Sequence, residues 1–352
     1  MPVTFRSELD PLAPYEPPRM AQEEERGVEG YIKLTSNELS FGPLPEAEAA
    51  LAGALPHANR YPGRRVSSLR EAIAAANPGA DPAKNVLVGN GSSEVLMNLL
   101  QLVERPGEVI FPWPSFGLYA AIGFTLGLKI TKVPLAEHHG ADPKALLSAV
   151  TDTTRAVVLA NPNNPTGTYL TREPVRNLAL SLPEDVFLIL DEAYGEFVSD
   201  PAYHGSHELV LERENVVCAR TFSKAHGLAG FRVGYGIASE RVADYAERVR
   251  LPFSVNLAAQ VAATASMRAR EKIEARAGFV VRERERVQGA FSAAGLNYVP
   301  SQGNFVLVET GPKVFEKAGV LVREGEALGY PGWSRVTIGD TGENDHVIGA
   351  LP

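Results

Sequence analysis

The chain has little cysteine, no excess of positive charge and no long apolar run. Cys218 is the only cysteine in the 352 residues, so the sequence excludes a disulfide framework and indicates a reducing compartment. The formal net charge of −8 argues against a nucleic-acid or anionic-membrane partner, because both bind basic surfaces. No apolar run reaches the roughly 18 residues of a membrane span. Any anion-binding site must therefore be local.

The amino-terminal segment also lacks the features of a secretion signal. Residues 1–19 are polar and proline-rich, and they contain neither a basic nor an apolar region of signal-peptide length. The prolines disfavour a helix and predict an extended arm, residues 1–30, that packs on a smaller domain or on a partner subunit. We expect a cytoplasmic protein.

The rest of the sequence alternates between strand-like and helix-like segments. Its content of 45% apolar and 22% charged residues is ordinary for a globular enzyme. Four apolar runs predict strands, at residues 85–88, 155–159, 186–190 and 216–219. Such strands form a largely parallel sheet covered on both faces, and ligands gather at its carboxyl ends. The loops that follow these strands are therefore the candidate site.

The pattern changes in the last third of the chain. We predict an α/β fold with a large domain over residues 31–255 and a small carboxy-terminal domain over residues 256–352. Residues 267–291 carry an apolar stripe at helical spacing, formed by Ile273, Ala277, Val280, Val287 and Phe291. The many Arg and Glu residues of the same segment predict a solvated face. Residues 304–308 and 335–338 have strand character.

The loop after the first strand has the composition of a phosphate-binding turn. Gly91, Ser92 and Ser93 follow the strand and precede the helix-like residues 95–103. A glycine turn at a helix N-terminus presents free backbone N–H groups, and the helix dipole favours an anion there. A plain turn with a serine N-cap is an equal alternative on this motif alone.

The loop after the second strand, residues 161–167, is rich in asparagine and proline. Proline removes backbone donors and stiffens the loop, which leaves asparagine amides such as that of Asn164 to bond a ring oxygen of a ligand. Ordinary turn chemistry explains the same composition.

The third strand ends in acidic residues and a tyrosine. Asp191 follows directly on the apolar run, and Tyr194 lies three residues later. A buried carboxylate without a partner is costly, so Asp191 should meet a cation or a protonated ring nitrogen. A metal ligand or a helix N-cap are alternatives, but no His or Cys cluster with ligand spacing accompanies the aspartate, and we expect no metal.

The fourth strand is followed by a lysine among hydroxyl and small residues. Lys224 lies close to Thr221 and Ser223, and Arg232 follows eight positions later. These residues could supply a Schiff-base amine and a second clamp for a phosphate. A solvated surface lysine is the alternative, although the glycines and alanines around Lys224 indicate an interior position.

In order and spacing these loops resemble those of fold-type I pyridoxal 5'-phosphate (PLP) aminotransferases, and in particular the histidinol-phosphate aminotransferase family. The likeness covers most of the chain, and further segments carry it at residues 14–15, 34–38, 41–43, 60–62 and 335–339. It implies the aspartate aminotransferase-like fold, with a mostly parallel central sheet in the large domain and a smaller α+β domain. It also implies a homodimer with shared active sites.

The resemblance assigns a role to each loop. Lys224 would hold PLP as a Schiff base, and Asp191 would pair with the pyridine nitrogen. Tyr194 and Asn164 would bond the ring oxygen. Phe116 would stack on the ring, with an ordinary core aromatic as the alternative. The residues implied to hold the cofactor phosphate are Gly91, Ser92, Ser93, Thr221, Ser223 and Arg232, joined by Tyr61 from a second subunit.

Substrate choice would depend on two arginines. By resemblance, Arg335 and Arg323 grip the anionic end of the substrate, with Tyr15 of the neighbouring subunit and Asn37 beside them. Arginine forks suit both a phosphate and a carboxylate, so one site could serve histidinol phosphate and glutamate. The implied amino acceptor is a 2-oxo acid, 2-oxoglutarate. The implied reaction is ping-pong amino transfer in histidine biosynthesis. Surface ion pairs are the alternative for both arginines.

The sequence departs from the family pattern at four positions. Leu39 and Ser40 replace Asn-Pro, Ser93 replaces an aspartate, and His226 stands where an aromatic is commoner. The open alternatives are an aromatic-amino-acid aminotransferase, whose arginines would take a carboxylate alone, and a PLP lyase similar to threonine-phosphate decarboxylase. A PLP-sensing regulator would need an added DNA-binding domain with basic helices, so we expect an enzyme.

Overall fold

The computed structural model describes residues 5–12 and 30–352, and its larger sheet has seven strands. In spatial order they are β2 (Val86–Gly89), β8 (Gly234–Ile237), β7 (Val216–Thr221), β6 (Phe187–Asp191), β5 (Thr154–Ala160), β3 (Glu108–Trp113) and β4 (Lys129–Pro134). Strand β8 is antiparallel to both neighbours, and all the other pairs are parallel. The predicted mostly parallel sheet is confirmed, and each of the four predicted strands is present.

Helices cover both faces of this sheet. They are α1 (Pro45–Ala54), α2 (Ser67–Ala76), α3 (Gly91–Gln101), α4 (Leu118–Leu126), α5 (Pro143–Ser148), α6 (Arg172–Ser181), α7 (His207–Glu212), α8 (Glu240–Val249) and α9 (Leu257–Arg268). Successive residues of one strand enter different cores: Leu188 and Leu190 pack in one, and Ile189 packs in the other. This alternation explains why the strand is apolar throughout. Cys218 is buried in the first core, as a small hydrophobic residue.

The second sheet has five strands. In spatial order they are β1 (Ile32–Leu34), β11 (Val320–Glu324), β12 (Ser334–Thr337), β10 (Phe305–Val308) and β9 (Tyr298–Val299), and the accompanying helices are α10 (Arg270–Ala293), α11 (Lys313–Glu316) and α12 (Thr341–Gly349). Strand β1 comes from the range predicted for the large domain, whereas Ala259 and Ala262 of α9 pack in the core of the larger sheet. The predicted boundary between residues 255 and 256 stays a prediction.

The charged segment at residues 267–291 is helical, as its periodicity predicts. All five residues of the predicted apolar stripe are buried on α10. The prediction that the charged residues of this segment form a solvated face is wrong for two of them, because Glu283 and Arg284 are also buried. In the described part of the chain, no helix is both long and apolar enough to cross a membrane.

Candidate active site

Asp191 lies at the carboxyl end of β6, and Lys224 follows the carboxyl end of the neighbouring strand β7. The Asp191 carboxylate is buried and accepts hydrogen bonds from the Tyr119 hydroxyl, at 2.8 Å, and from the Ala193 backbone N–H, at 3.1 Å. Burial raises the pKa of Asp191 above its usual value, because both donors are neutral and compensate only partly for lost hydration. The site thus has a carboxylate in need of a cationic partner.

Lys224 is partly buried, and its Nζ donates to the Ser36 carbonyl at 3.0 Å. The same nitrogen lies 5.7 Å from the centroid of the Tyr194 ring. Burial, together with the charge of Arg335 and to a smaller degree that of Arg232, lowers the pKa of Lys224 to about 7. The amine is therefore largely unprotonated slightly above neutral pH, which is the form that attacks a carbonyl carbon.

Tyr194 and Asn164 are both fixed by hydrogen bonds that leave a donor available. The Asn37 amide donates to the Tyr194 hydroxyl at 2.9 Å, so the phenolic hydrogen can be given to a ligand. Arg335 Nη1 donates to Asn164 Oδ1 at 2.6 Å, which leaves the Asn164 NH₂ group as a donor. Arg335 Nη2 donates to the Thr35 carbonyl oxygen at 2.6 Å.

The residues predicted to form a phosphate cup lie at the N-terminus of α3. The N-cap residue of α3 is Asn90, which makes no side-chain cap bond within the described residues. Ser92 and Ser93 lie inside the helix, so neither is the serine N-cap that the alternative reading of this turn required. A Cβ added at Gly91 would lie 2.6 Å from Arg232 Nη2, which places the guanidinium against the start of the helix. Thr221 donates to Ser223 at 3.0 Å beside it, and Arg232 Nη1 lies 3.4 Å from the Ser223 hydroxyl.

The two candidate substrate arginines are direct neighbours across the small sheet. Arg323 of β11 is paired with Arg335 of β12 in the antiparallel register, so both side chains leave the same face of the sheet. Two cations directly opposite each other repel, and an anion between them would remove that cost. Arg335 is buried and Arg323 half-buried.

Three aromatic candidates have different positions. Phe116 is 37% exposed and packs edge-on to Tyr119, with ring centroids 5.7 Å apart, and so it does not belong to the closed core. Tyr61 is 83% exposed and stacks on Phe253 at 4.7 Å. Tyr15 lies outside the described residues.

Sequence reasoning missed one residue of the site, Tyr119. Tyr119 is buried on α4, and no motif marks it, because its contact with Asp191 joins residues 72 positions apart.

Two departures from the family pattern have structural contacts. His226 is buried, bonds the Ser266 hydroxyl at 2.8 Å, and has its pKa lowered to about 3 by burial. Ser40 donates to the Glu343 carboxylate of α12.

The residues present fit PLP, the cofactor that the sequence resemblance implies. The cofactor phosphate would meet hydroxyls, a guanidinium and the free N–H groups of a helix N-terminus, with the Arg232 side chain lying against Gly91. The buried Asp191 offers a carboxylate to a ring N–H, Lys224 offers an unprotonated amine, and Tyr194 and Asn164 retain donors for a ring oxygen.

Known proteins resemble this chain over nearly its whole length. Residues 29–351 match the family described as Aminotransferase class I and II. A histidinol-phosphate aminotransferase of Rubrobacter xylanophilus is 76% identical over 349 residues, which cover 99% of both chains. An aromatic amino acid aminotransferase of Rhodococcus jostii is 42% identical and covers 90% of this chain and 88% of its own.

Solved structures give the same result. The crystal structure of a histidinol-phosphate aminotransferase from Sinorhizobium meliloti in complex with pyridoxal-5'-phosphate is similar with a TM-score of 0.88 and 28% identity. The match covers 99% of this chain and 96% of that one. An aspartate aminotransferase of Thermus thermophilus has a TM-score of 0.84 at 23% identity, which shows the shared fold.

Proposed function

We propose a substrate and a set of residue roles for this chain, which belongs to the aminotransferase class I and II family. The chain is a PLP-dependent aminotransferase, and its proposed reaction transfers the amino group of histidinol phosphate to 2-oxoglutarate in a ping-pong cycle of histidine biosynthesis. The 76% identical relative that is named a histidinol-phosphate aminotransferase supports this substrate.

The observation that carries the substrate proposal is the pair Arg323 and Arg335. Arg323 and Arg335, 12 residues apart in sequence, are paired directly across the antiparallel strands β11 and β12, which puts both side chains on one face of the sheet. A phosphate with a charge near −2 has three acceptor oxygens, which two arginine forks can share. A carboxylate needs only one fork. Tyr15 of a neighbouring subunit and Asn37 complete this proposed substrate site.

Lys224 is the proposed catalytic base. Its amine, with a pKa of about 7, is unprotonated in enough molecules at neutral pH to bind the cofactor, and with substrate in place it would take the proton from the substrate Cα and deliver it to C4' of the cofactor. When bound, PLP supplies an electron-accepting ring for the electrons left at that carbon. The Asp191 carboxylate would hold the proton on the ring nitrogen, and that cation would offset the cost of burying Asp191.

The remaining roles are positioning and binding. Tyr194 and Asn164 donate to the ring oxygen, and Phe116 packs on the ring face. The cofactor phosphate is held by Gly91, Ser92, Ser93, Thr221, Ser223 and Arg232, with the partner chain giving Tyr61. The position of these groups around the α3 N-terminus supports the assignment.

A homodimer in the cytoplasm is the proposed state of the protein. Tyr61 projects from the surface, and the apolar side chains of Leu55, Leu251 and Phe253 are also exposed, by 69%, 68% and 37%. Exposed apolar residues of this size favour a protein contact. The single buried Cys218 agrees with a reducing compartment.

The second candidate is an aromatic-amino-acid aminotransferase, which the 42% identical relative of that name favours. The two are separated by a half-reaction screen that follows the loss of the PLP absorbance with histidinol phosphate, phenylalanine, tyrosine and aspartate, in wild type and in Arg323→Ala. We expect histidinol phosphate to be the best donor. Losing one charge-assisted contact should reduce its kcat/KM by about 10- to 150-fold and that of phenylalanine much less.

The matched control is Lys317→Ala, which removes an exposed cation of the same domain and should leave both donors unchanged. Higher kcat/KM for phenylalanine or tyrosine than for histidinol phosphate in the wild type would replace the substrate proposal by the aromatic one. Release of CO₂ without any 2-oxo acid acceptor would instead identify a lyase.

A further inference from the structure

Arg284 is the largest fully buried side chain of the described chain, at 1% exposure. Its Nη1 donates to the Phe197 and Gly303 carbonyls, at 2.8 and 3.1 Å, and its Nη2 lies within 3.4 Å of Ser199 Oγ and 3.2 Å of Gln302 Oε1. Among the described residues no carboxylate bonds to it. A buried cation held only by neutral oxygens is costly, so a specific geometric task is expected of it.

The groups that Arg284 joins belong to separate parts of the fold. Gln302 and Gly303 lie in the loop before β10, called here the 301–304 loop. Ser199 and Phe197 follow the turn that begins at Tyr194, at the end of the large-domain sheet. Gln302 Oε1 also accepts from the Ser199 backbone N–H at 2.8 Å, which closes a network around the guanidinium.

The 301–304 loop in turn contacts the loop that carries Asn164. The Gln302 N–H donates to the Gly167 carbonyl at 2.8 Å. A Cβ added at Gly167, whose φ is +73°, would lie 2.0 Å from Ser301 Oγ, so the two loops touch with no room for a side chain. The Ser301 N–H is held by Gln288 Oε1, one helical turn after Arg284 on α10, at 2.8 Å.

The last residue of the same loop reaches the Tyr194 hydroxyl through one intermediate. Asn304 Nδ2 donates to the Asn37 carbonyl at 3.0 Å, and the Asn37 amide donates to Tyr194 at 2.9 Å. The next residue, Phe305, packs edge-on against the Tyr194 ring at 5.0 Å. Both proposed ring-oxygen donors, Tyr194 and Asn164, are thus supported by one loop.

We propose that Arg284 is a positioning residue whose guanidinium fixes the 301–304 loop, and through that loop the orientation of Tyr194 and Asn164 toward the ring oxygen of the cofactor. The inference rests on the proposed roles of these two residues. Arg284 itself touches neither substrate nor cofactor. Burial lowers its pKa to about 10, so it stays protonated at neutral pH and keeps all its donors.

The test compares PLP-loaded wild type with Arg284→Met, Arg284→Lys and the control Arg282→Met, which removes an exposed arginine of the same helix. Donors to the ring oxygen stabilise its negative charge, so misplacing them should raise the pH midpoint of the visible absorbance of the bound cofactor. In Arg284→Met we expect a rise of about 0.5 to 1 pH unit and about a 10-fold lower kcat, with KM for the donor nearly unchanged.

Arg284→Lys keeps the charge but cannot reach four acceptors at once. Its pH midpoint and its kcat should therefore lie between those of wild type and Arg284→Met. Arg282→Met should match wild type. Gln302→Ala, at a half-buried position, removes one acceptor of the network and should give a smaller shift in the same direction. It carries the test if Arg284→Met does not fold.

Lower unfolding temperatures with a wild-type midpoint and kcat would overturn the inference, since Arg284 would then only stabilise the fold. A wild-type protein without a visible PLP band or without turnover would refute the proposed function itself, whatever the Arg284 variants do.

Discussion

Asp191 is the residue whose environment is hardest to explain without a ligand. Its carboxylate is buried at 4% exposure, and in the described part of the chain only neutral groups, the Tyr119 hydroxyl and the Ala193 N–H, bond to it. Burial raises its pKa for that reason. A protonated ring nitrogen would supply the missing positive charge and favour the carboxylate form of Asp191.

Replacing Asp191 by asparagine should therefore separate cofactor binding from chemistry. The amide keeps the shape and can still accept from Tyr119, and the phosphate cup is untouched, so PLP should remain bound. The proton-transfer step should slow by orders of magnitude, because the ring nitrogen is no longer held protonated. Single-turnover loss of the PLP absorbance measures this rate.

The control for this variant is Asp185→Asn, an exposed aspartate just before β6, which should behave as wild type. Near-normal turnover in Asp191→Asn would remove the residue from the mechanism.

Among single residues, sequence reasoning found those that stand at the ends of predicted strands. Asp191 follows the apolar run 186–190 directly, and Lys224 comes five residues after the run 216–219, so their place at the end of the sheet could be predicted. Tyr119 could not, because only the three-dimensional fold brings the start of α4 close to Asp191. Arg284 was predicted as solvated, since its four acceptors lie in distant segments that the sequence of α10 does not reveal.

At the scale of elements, the four strands that contain an apolar run, β2, β5, β6 and β7, were predictable and several others were not. The run at residues 155–159 corresponds to Thr154–Ala160, because a strand buried on both faces is apolar at most positions, here from Ala156 to Ala160. Strand β8, Gly234–Ile237, contains two glycines and lacks that signature. A Cβ at Gly234 would lie 2.2 Å from the Ser92 nitrogen, so close packing against the N-terminus of α3 requires glycine at this position. The same glycine removes the apolar pattern by which a strand is recognised in the sequence.

The order of the elements explains how distant loops form one site. Strands β5, β6 and β7 are adjacent and parallel, so the loops after them meet at the same edge of the sheet. Strand β8 runs antiparallel to β2, so the start of β8 lies beside the end of β2. Arg232, just before β8, therefore lies against Gly91, just after β2. Arg335 of the second sheet joins the same group of residues through its hydrogen bond to Asn164.

For the whole molecule, the exposed Tyr61 predicts that the sites are shared between subunits. If each site combines Lys224 of one chain with Tyr61 of the other, a mixed dimer of Tyr61→Phe and Lys224→Ala chains contains one native site. Equal mixing should then restore about a quarter of the wild-type sites, because half of the dimers are mixed. Activity at limiting PLP, after the chains are unfolded and refolded together, measures the recovery.

Mixing the same two chains without exchange of subunits is the control, and it should restore nothing. No recovery after exchange, or a fully active monomer in sedimentation analysis, would contradict the shared site.

The central claim is that Lys224 is the residue that binds PLP, and reductive trapping tests it most directly. The protein is incubated with PLP at pH 8, where an amine with a pKa of about 7 is mostly unprotonated, then reduced with borohydride, digested and analysed by mass spectrometry. We predict a visible-range absorbance before reduction and a stable label on the peptide that contains Lys224, with neither in Lys224→Ala. A label on another lysine, such as Lys33, or no visible absorbance after added PLP, would contradict the account.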